Sequence, residues 1–485
     1  MTISRLTAAA GTVLALLDDA AVRVPTRRAV TDQHHALDYR TLRARVAAAA
    51  ESLRSTGIGR GDRVGVALPN SVAFVEAFLG VLAAGAAAMP VPAATRAAER
   101  RRLFGEARVA AEIALPEDGH VFAPIALAAG AAGLTLIRPA RAPETRPAPA
   151  TPTPADTALV AASSGTTARP HLIARTHENL WWEAENFWTS TRLTSDDVVL
   201  GVVPLSHAHG LGNALLAALR AGACLLLRPR FLRREVLDLL AAERVTVFPA
   251  VPFMLRMLAA TDRRRHWDLS ALRLCLSAGA PLPREVFAAF RDRFGVPVRQ
   301  LYGLTEAGSV TCDLAAADAV DPSTVGRPLG NVVVSIEDEH GRVLPAGEIG
   351  EIVVRSAAAE GGVARPLRTL DVGRCNTDGT LTITGRTSLF INTAGNKVDP
   401  AEVEAALRAH PAVADVAVFG LAAAHDEQVV AAVVVLATPV SADALRAHCR
   451  EVLAPHKVPR VLTFRDALPR SPLGKVLIGR LLAEA

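Results

Sequence analysis

Lysine is nearly missing from this chain. Of its 53 basic residues only Lys397, Lys457 and Lys475 are lysines, and all three fall near the C-terminal end. A sequence so biased to arginine keeps lysine where arginine's wide planar fork would not serve. Cysteine is scarce too: Cys224, Cys275, Cys312, Cys375 and Cys449 lie far apart, with no C-x-x-C spacing. That argues against a disulfide framework and a structural zinc site, and fits a reducing, cytoplasmic setting. Aromatic residues make up 4% of the chain, too few for base-stacking platforms. The formal net charge of +5 is scattered, apart from Arg100-Arg101-Arg102 and Arg263-Arg264-Arg265, so nucleic acid is not expected as a partner. No uncharged apolar run reaches the length of about eighteen residues needed to span a bilayer. The apolar stretch Leu6 to Leu17 runs into Asp18-Asp19 and on to Val24, which reads as an amphipathic first helix rather than a signal peptide.

What is present is a balanced globular composition. The 485 residues are 50% hydrophobic and 21% charged, too many for one hydrophobic core, so at least two domains are expected. Thr41 to Arg54 reads as a helix ending near Gly57, Asp62 to Leu68 as a buried strand, Ser71 to Ala84 as a helix capped by Gly85, and Ala88 to Val91 as a strand. This β-α-β rhythm signals sheets with helical crossovers. Six prolines between Pro139 and Pro154 mark an extended linker, about 139–154. The rhythm resumes at Ala158 and continues through Val198–Pro204, Ala223–Arg228, Val245–Ala250 and Leu272–Ala278. From Asn331 the pattern changes to strands and hairpin turns, near His340-Gly341, Ala346-Gly347 and Asp378-Gly379. The last hundred residues read as an α-β-β-α-β unit, with helices at about 400–409 and 441–453 and strands at about 413–419, 428–436 and 460–464.

Chemistry concentrates in a few short segments. Ser163-Ser164-Gly165-Thr166-Thr167 follows a strand and offers hydroxyls and successive backbone N–H groups of the kind that cradle phosphate. The Walker spacing is absent here and around Gly474-Lys475. In order after it come Pro204-Leu-Ser-His207-Ala-His209-Gly210-Leu211, Ser277-Ala278-Gly279-Ala280-Pro281, Tyr302-Gly303-Leu304-Thr305-Glu306, Thr369-Leu370-Asp371, Gly385-Arg386 and Pro472-Leu-Gly474-Lys475. Any one of these is more often a plain structural feature. A lone His207 is commonly a satisfied loop histidine, and a lone Asp371 a turn residue.

Together and in this order they resemble the adenylate-forming superfamily of acyl-CoA synthetases, aryl-CoA ligases, peptide-synthetase adenylation domains and luciferases. The resemblance covers about residues 20 to 482. It implies a multidomain α/β and α+β fold: a large N-terminal domain (1–386) of βαβ-type sheets plus a small β-barrel-like region, a hinge at 387–388, and a small mobile C-terminal lid (389–485). It implies that Gly279, Ala280 and Pro281 line the adenine face, with Tyr302 stacking on the ring and Gly303 allowing close approach. Thr305 then faces the α-phosphate, Glu306 holds Mg²⁺, and Asp371 accepts the ribose hydroxyls with Arg386 assisting. His207 gates the passage between carboxylate pocket and thiol tunnel. Lys475 contacts substrate carboxylate and α-phosphate as charge spreads between them. Ser388 is the hinge residue, and Gly395 and Lys397 lie on the segment presented to the coenzyme A arm. Leu211, Ala278, Gly279 and Leu304 border the acyl group, suggesting a hydrophobic, uncharged acid. The implied cofactors are ATP or AMP, as acyl-AMP, with Mg²⁺ and coenzyme A.

Three departures qualify this. The phosphate loop continues Thr167-Ala168-Arg169-Pro170-His171-Leu172, without the family's two glycines and lysine. Leu370 stands where the family has glycine, and the segment between Arg355 and Arg368 is about half the usual length. All fall on the pyrophosphate side or the acyl wall, while the AMP side is retained. Several readings follow. The first is a two-step acid–thiol ligase; the second takes a preformed acyl-AMP from a partner adenylating enzyme and forms the thioester. A carrier-protein loader for amino acids is disfavoured, because Gly212-Asn213-Ala214 lacks the aspartate expected to hold an α-amine. A non-catalytic nucleotide-binding descendant is the remaining alternative.

Overall fold

The computed structural model describes residues 11–114, 123–126, 135–138, 151–162, 172–262, 264–386, 391–393, 396–422, 428–470 and 476–483. Two large mixed sheets carry the N-terminal part. In the first, nine strands lie in the order Arg327–Pro328, Gly308–Cys312, Val298–Leu304, Leu274–Ser277, Val247–Ala250, Val198–Gly201, Cys224–Leu227, Arg28–Thr31 and Ala36–Asp38. From Val298–Leu304 to Arg28–Thr31 neighbouring strands are parallel, and both edges are antiparallel. Cys224–Leu227, Val247–Ala250 and Leu274–Ser277 are buried at every position, as apolar runs covered on both faces should be.

The second sheet has seven strands. Arg63–Ala67, Ala87–Pro90, Ala111–Ala114 and Thr157–Ala162 form its parallel centre, and Leu172–Thr176 closes one edge antiparallel. Crossover helices match the sequence reading within one or two residues. Helix Tyr39–Ser55 starts where Asp38 accepts the Thr41 N–H, and helix Val72–Ala83 where Ser71 accepts the Phe74 N–H. Such caps satisfy backbone donors that a helix start leaves open. The two helices pack closely because Gly80 faces Ala49; a Cβ on Gly80 would lie 2.8 Å from the Ala49 Cβ. The strands Arg28–Thr31, Ala36–Asp38 and Leu172–Thr176 had no counterpart in the sequence reading, being short and half polar.

The hairpin region from Asn331 forms a four-stranded antiparallel sheet, Val332–Glu337, Gly350–Ser356, Leu367–Cys375 and Leu381–Arg386. Beyond it lies a small α+β unit with its own cores. Helices Pro400–Arg408 and Ala442–Val452 pack beside a three-stranded sheet, Val413–Ala422, Gln428–Leu436 and Val461–Phe464. The expected α-β-β-α-β order is observed. Most of the proline-rich segment, at 139–150, lies outside the described residues. Among the described residues no helix is long and apolar enough to cross a membrane, and the five cysteines are free thiols.

Candidate active site

The parallel strands of the nine-stranded sheet end along one edge, the place where open α/β sheets collect ligands. His207 follows Val198–Gly201, Ala278 to Pro281 follow Leu274–Ser277, and Tyr302 to Glu306 close Val298–Leu304 and its turn. Gly279 adopts φ 83°, a conformation open to glycine without strain, and Gly279, Ala280 and Pro281 form an exposed rim. Gly303 is a glycine for a reason internal to the hairpin: a Cβ there would meet the Gly308 carbonyl oxygen at 2.6 Å. Thr305 and Glu306 are half-buried in the turn that follows.

The four-stranded sheet brings its residues to the same rim. Asp371 and Arg386 are register partners on adjacent antiparallel strands. The Tyr302 hydroxyl donates to Asp371 Oδ2 at 2.6 Å, so the two sheets meet at the residues the motifs singled out. Thr369 steadies the approach: its hydroxyl donates to the Ile352 carbonyl at 2.8 Å and accepts the Asp371 N–H at 3.1 Å. Between them Leu370 is held at φ 61° and is 46% exposed. At this irregularity in the pairing of strand Leu367–Cys375 a leucine occupies a left-handed backbone that glycine takes without strain, at a cost of order 1 kcal/mol or more.

His207 caps a continuous helical run made of Ala208–Gly210, a widened π-helical segment Leu211–Leu216, and Ala217–Ala221. Gly210 allows this helix to sit on the preceding loop, since a Cβ would lie 2.3 Å from the Pro204 carbonyl oxygen. His207 Nε2 is buried and has no hydrogen-bond partner among the described residues, as is the case for Ser277 Oγ. His209 is fully engaged. Its Nε2 lies 3.0 Å from the Ala250 carbonyl and its Nδ1 2.9 Å from Asn213 Nδ2, while Ser309 donates to Asn213 Oδ1 at 2.8 Å. The carbonyl requires the Nε2–H tautomer, with Nδ1 accepting from Asn213. Leu211 and Ala278 are in the main core, with Leu304 packed against it.

Burial pushes the pKa of His207 and of His209 down to about 4, the latter against a small opposing effect of the Ala250 carbonyl. Burial does the same to His177, outweighing the attraction of Asp156; its Nδ1 accepts the Val13 N–H at 3.3 Å. These rings are neutral in the fold, whereas the unfolded chain takes up protons below pH 6.5. Stability is then fully present above that value and is lost as pH falls towards 4. Urea midpoints should drop between pH 7.5 and 5, and His177→Gln should flatten the drop; a profile unchanged by the substitution excludes His177 as a contributor.

A matching family model, "AMP-binding enzyme", spans residues 17–365, and a second, "AMP-binding enzyme C-terminal domain", spans 402–475. The chain belongs to the AMP-binding enzyme family. It is an adenylate-forming acid–thiol ligase of the acyl-CoA synthetase class, whose members use ATP or AMP, Mg²⁺ and coenzyme A. It is 34% identical to a feruloyl-CoA synthase of Amycolatopsis sp, over 94% of this chain and 97% of that one. ATP-bound MatB of Rhodopseudomonas palustris has a TM-score of 0.82 at 25% identity, covering 98% and 99% of the two chains. The o-succinylbenzoate CoA synthetase of Bacillus subtilis, in complex with its acyl-adenylate, has a TM-score of 0.81 at 27% identity, covering 96% and 97%.

Several motif residues of this ligase lie outside the described residues: Ser163, Ser164, Gly165, Thr166, Thr167, Ala168 and His171 of the phosphate loop, Ser388, Gly395 and Lys475. Arg386 and Lys397 are described in their backbone alone, Lys397 pairing with Asn392 in a two-stranded hairpin. Among the described residues no three His, Cys, Asp or Glu converge as a metal cage. A lone Glu306 nevertheless suits Mg²⁺, which commonly takes one or two carboxylates and completes its shell with water and substrate phosphates.

The short segment after strand Gly350–Ser356 is firmly held. Asn179 Nδ2 donates to the Ala357 and Ala359 carbonyls at 2.8 and 2.9 Å, Arg175 Nη2 to the Ala358 carbonyl at 2.9 Å, and the Glu360 N–H to the Glu306 carbonyl at 2.7 Å. Sequence reasoning did not find the buried pair beside this segment, Arg175 and Glu183, with Nη1 and Oε2 2.6 Å apart. The signal that existed was two glycines, Gly212 and Gly308, whose Cβ atoms would lie 1.9 and 2.3 Å from Glu183 side-chain atoms. Gly212→Ala should displace that carboxylate and cost about 2–3 kcal/mol of stability. Denaturant unfolding checks this; a wild-type midpoint would show the pair to be mobile.

Proposed function

We propose that this chain activates a largely apolar carboxylic acid as its acyl-adenylate and transfers the acyl group to coenzyme A, with 1–386 as the nucleotide- and acid-binding domain, a hinge at 387–388 and 389–485 as a mobile lid in a cytoplasmic enzyme. The observation that carries it is the Tyr302–Asp371 hydrogen bond with Asp371 in register with Arg386. It joins two separate sheets where an adenosine would need an aromatic face and a carboxylate for its ribose.

In this reading the phosphate loop (Ser163, Ser164, Gly165, Thr166, Thr167) and Thr305 hold the phosphates, and the rim Gly279, Ala280 and Pro281 borders the adenine. Glu306 would hold Mg²⁺, which supplies charge neutralisation at the phosphates. Lys475 draws the acid's carboxylate towards the α-phosphate. One carboxylate oxygen attacks the α-phosphorus and pyrophosphate leaves with the bonding electron pair. The lid then turns, Gly395 and Lys397 border the thiol arm, and the thiolate displaces AMP from the acyl carbon. Neutral His207, with an open buried Nε2, suits a gate beside an anionic carboxylate better than a fixed charge would.

A second reading, thioester formation from a preformed acyl-adenylate, is favoured by Leu370, a bulky exposed side chain at φ 61° next to Asp371. Pyrophosphate exchange with a panel of acids, run beside thioester formation from synthetic acyl-AMP, separates the two. Brisk exchange supports the two-step enzyme. Exchange that emerges only with Ala168→Gly, His171→Lys and Leu370→Gly supports the second. Turnover in neither assay, by wild type or variant, overturns both.

A further inference from the structure

The segment that carries His207 is shaped by a residue from the other large sheet. Asn70 follows strand Arg63–Ala67, precedes helix Val72–Ala83 and is 5% exposed. Its Nδ2 donates to the Gly201 carbonyl at 3.2 Å and to the Val203 carbonyl at 3.0 Å. Its Oδ1 accepts the Leu205 N–H at 2.8 Å. A carboxamide offers two N–H donors and an acceptor oxygen in one plane, and here both sides of it are in use. Four positions of extended chain span about 13 Å, yet Gly201 and Leu205 both reach this one group. The chain therefore turns about Asn70 as it leaves strand Val198–Gly201.

That turn leads directly to His207. The His207 N–H donates to the Pro204 carbonyl at 3.0 Å, and the His207 carbonyl accepts the Leu211 N–H at 2.8 Å, opening the helical run. A Cβ on Gly210 would lie 2.7 Å from the Val203 carbonyl oxygen and 2.3 Å from that of Pro204. The helix is thus seated on the same two peptide units that Asn70 binds, Val203 to Pro204 and Pro204 to Leu205. Asn70 is itself fixed. Pro69 before it has a restricted backbone. The Ser71 hydroxyl donates to the Pro69 carbonyl at 3.0 Å and accepts the Phe74 N–H at 3.1 Å, and the Val72 N–H donates to Asp32 Oδ2 at 2.8 Å.

Satisfying backbone groups does not account for all of this. The Gly201 carbonyl already accepts the Arg228 N–H at 3.1 Å, so its bond to Asn70 adds shape rather than a missing partner. His207 has no anchor of its own at Nε2, which is buried without a partner among the described residues. The place of that ring depends on the backbone beneath it.

We propose that Asn70 is a positioning residue for thioester formation: by folding Gly201 to Leu205 about its carboxamide, it sets where His207 stands between the acyl-adenylate and the thiol. This rests on the acyl-CoA ligase reading with His207 as the gate, and brings into it a residue of the second sheet.

The test is a double-mutant cycle in the full-length enzyme, read as single-turnover thioester formation from cinnamoyl-, benzoyl- or dodecanoyl-AMP with saturating coenzyme A. Asn70→Ala should slow this step by roughly 10- to 100-fold, the effect of a small misplacement of a reacting arrangement. Its AMP affinity by calorimetry should stay within about twofold, because Tyr302 and Asp371 share no partner with Asn70. In a His207→Ala background, itself slowed, adding Asn70→Ala should cost less than about twofold, since a residue acting through another loses its effect once that other is gone. Asn70→Asp is isosteric and carries the same cycle if Asn70→Ala does not fold. It keeps the acceptor for Leu205 but turns a carboxylate to two carbonyls, so its rate relative to wild type should recover as the assay pH is lowered and the protonated acid regains one donor. An equal cost in both backgrounds makes Asn70 a general support of the fold and overturns the inference, as does a wild-type rate in folded Asn70→Ala; both leave the ligase reading standing. A wild-type rate in His207→Ala removes the gate, and the inference with it. If wild type converts none of the acyl-adenylates, the ligase reading itself fails.

Discussion

Lys475→Ala lowers acyl-adenylate formation by roughly 100- to 1,000-fold, the usual effect of deleting one preorganised group that stabilises transition-state charge. Thioester formation from supplied acyl-AMP should fall far less. In the first half-reaction negative charge spreads from the acid's carboxylate onto the α-phosphate, and a compact ammonium on a flexible stem can touch both. In the second half-reaction the carboxylate is already esterified in the mixed anhydride and no longer anionic, and the proposed lid rotation carries the lysine away. Lys475→Arg should rescue poorly, because the guanidinium is broad and planar and its charge is spread. The near-total replacement of lysine by arginine elsewhere in the chain makes this control informative. Single-turnover assays of the two half-reactions check it, and equal losses in both would show that Lys475 is structural.

Asp371→Ala should weaken AMP and acyl-AMP binding together by roughly 100-fold or more, since the two charge-assisted bonds proposed from its carboxylate to the ribose hydroxyls would each contribute about 1.5–3 kcal/mol. In the structure one oxygen of that carboxylate accepts from the Tyr302 hydroxyl, so a control is available. Tyr302→Phe removes the hydroxyl but keeps the aromatic face, and should change AMP affinity by less than about tenfold. Calorimetry with AMP reads both. Unchanged affinity in a folded Asp371→Ala variant would move the ribose elsewhere, and an equal loss in Tyr302→Phe would make the pair, rather than the carboxylate, the binding unit.

Much of this protein could be read from the chain without its coordinates. Apolar runs bounded by helix caps and glycines located the central strands and crossover helices, because a strand buried on both faces must be apolar throughout, and a helix start must satisfy its free N–H groups locally. Ordered short motifs carried the family, since residues that touch one ligand are constrained in type wherever the chain brings them. The short polar strands escaped notice: Leu172–Thr176 is held by pairing with Thr157–Ala162, a contact that no local pattern encodes.

What tertiary structure alone decided is which distant residues share a space. Asp371 and Tyr302 are bonded across sheets although 69 positions separate them. His209, Asn213 and Ser309 form one closed chain, with 96 positions between the last two. Gly303, expected to give a ligand room, is also constrained by the carbonyl of Gly308, which only the folded hairpin reveals. Glu183, which no motif singles out, is buried against Gly212 and Gly308 with Arg175 as its counter-charge. Local sequence reports propensity, capping and periodicity, which act over a few residues. Burial, ion pairing and unmet hydrogen bonds depend on what packs opposite, and that is settled only when the sheets and the helix capped by His207 come together.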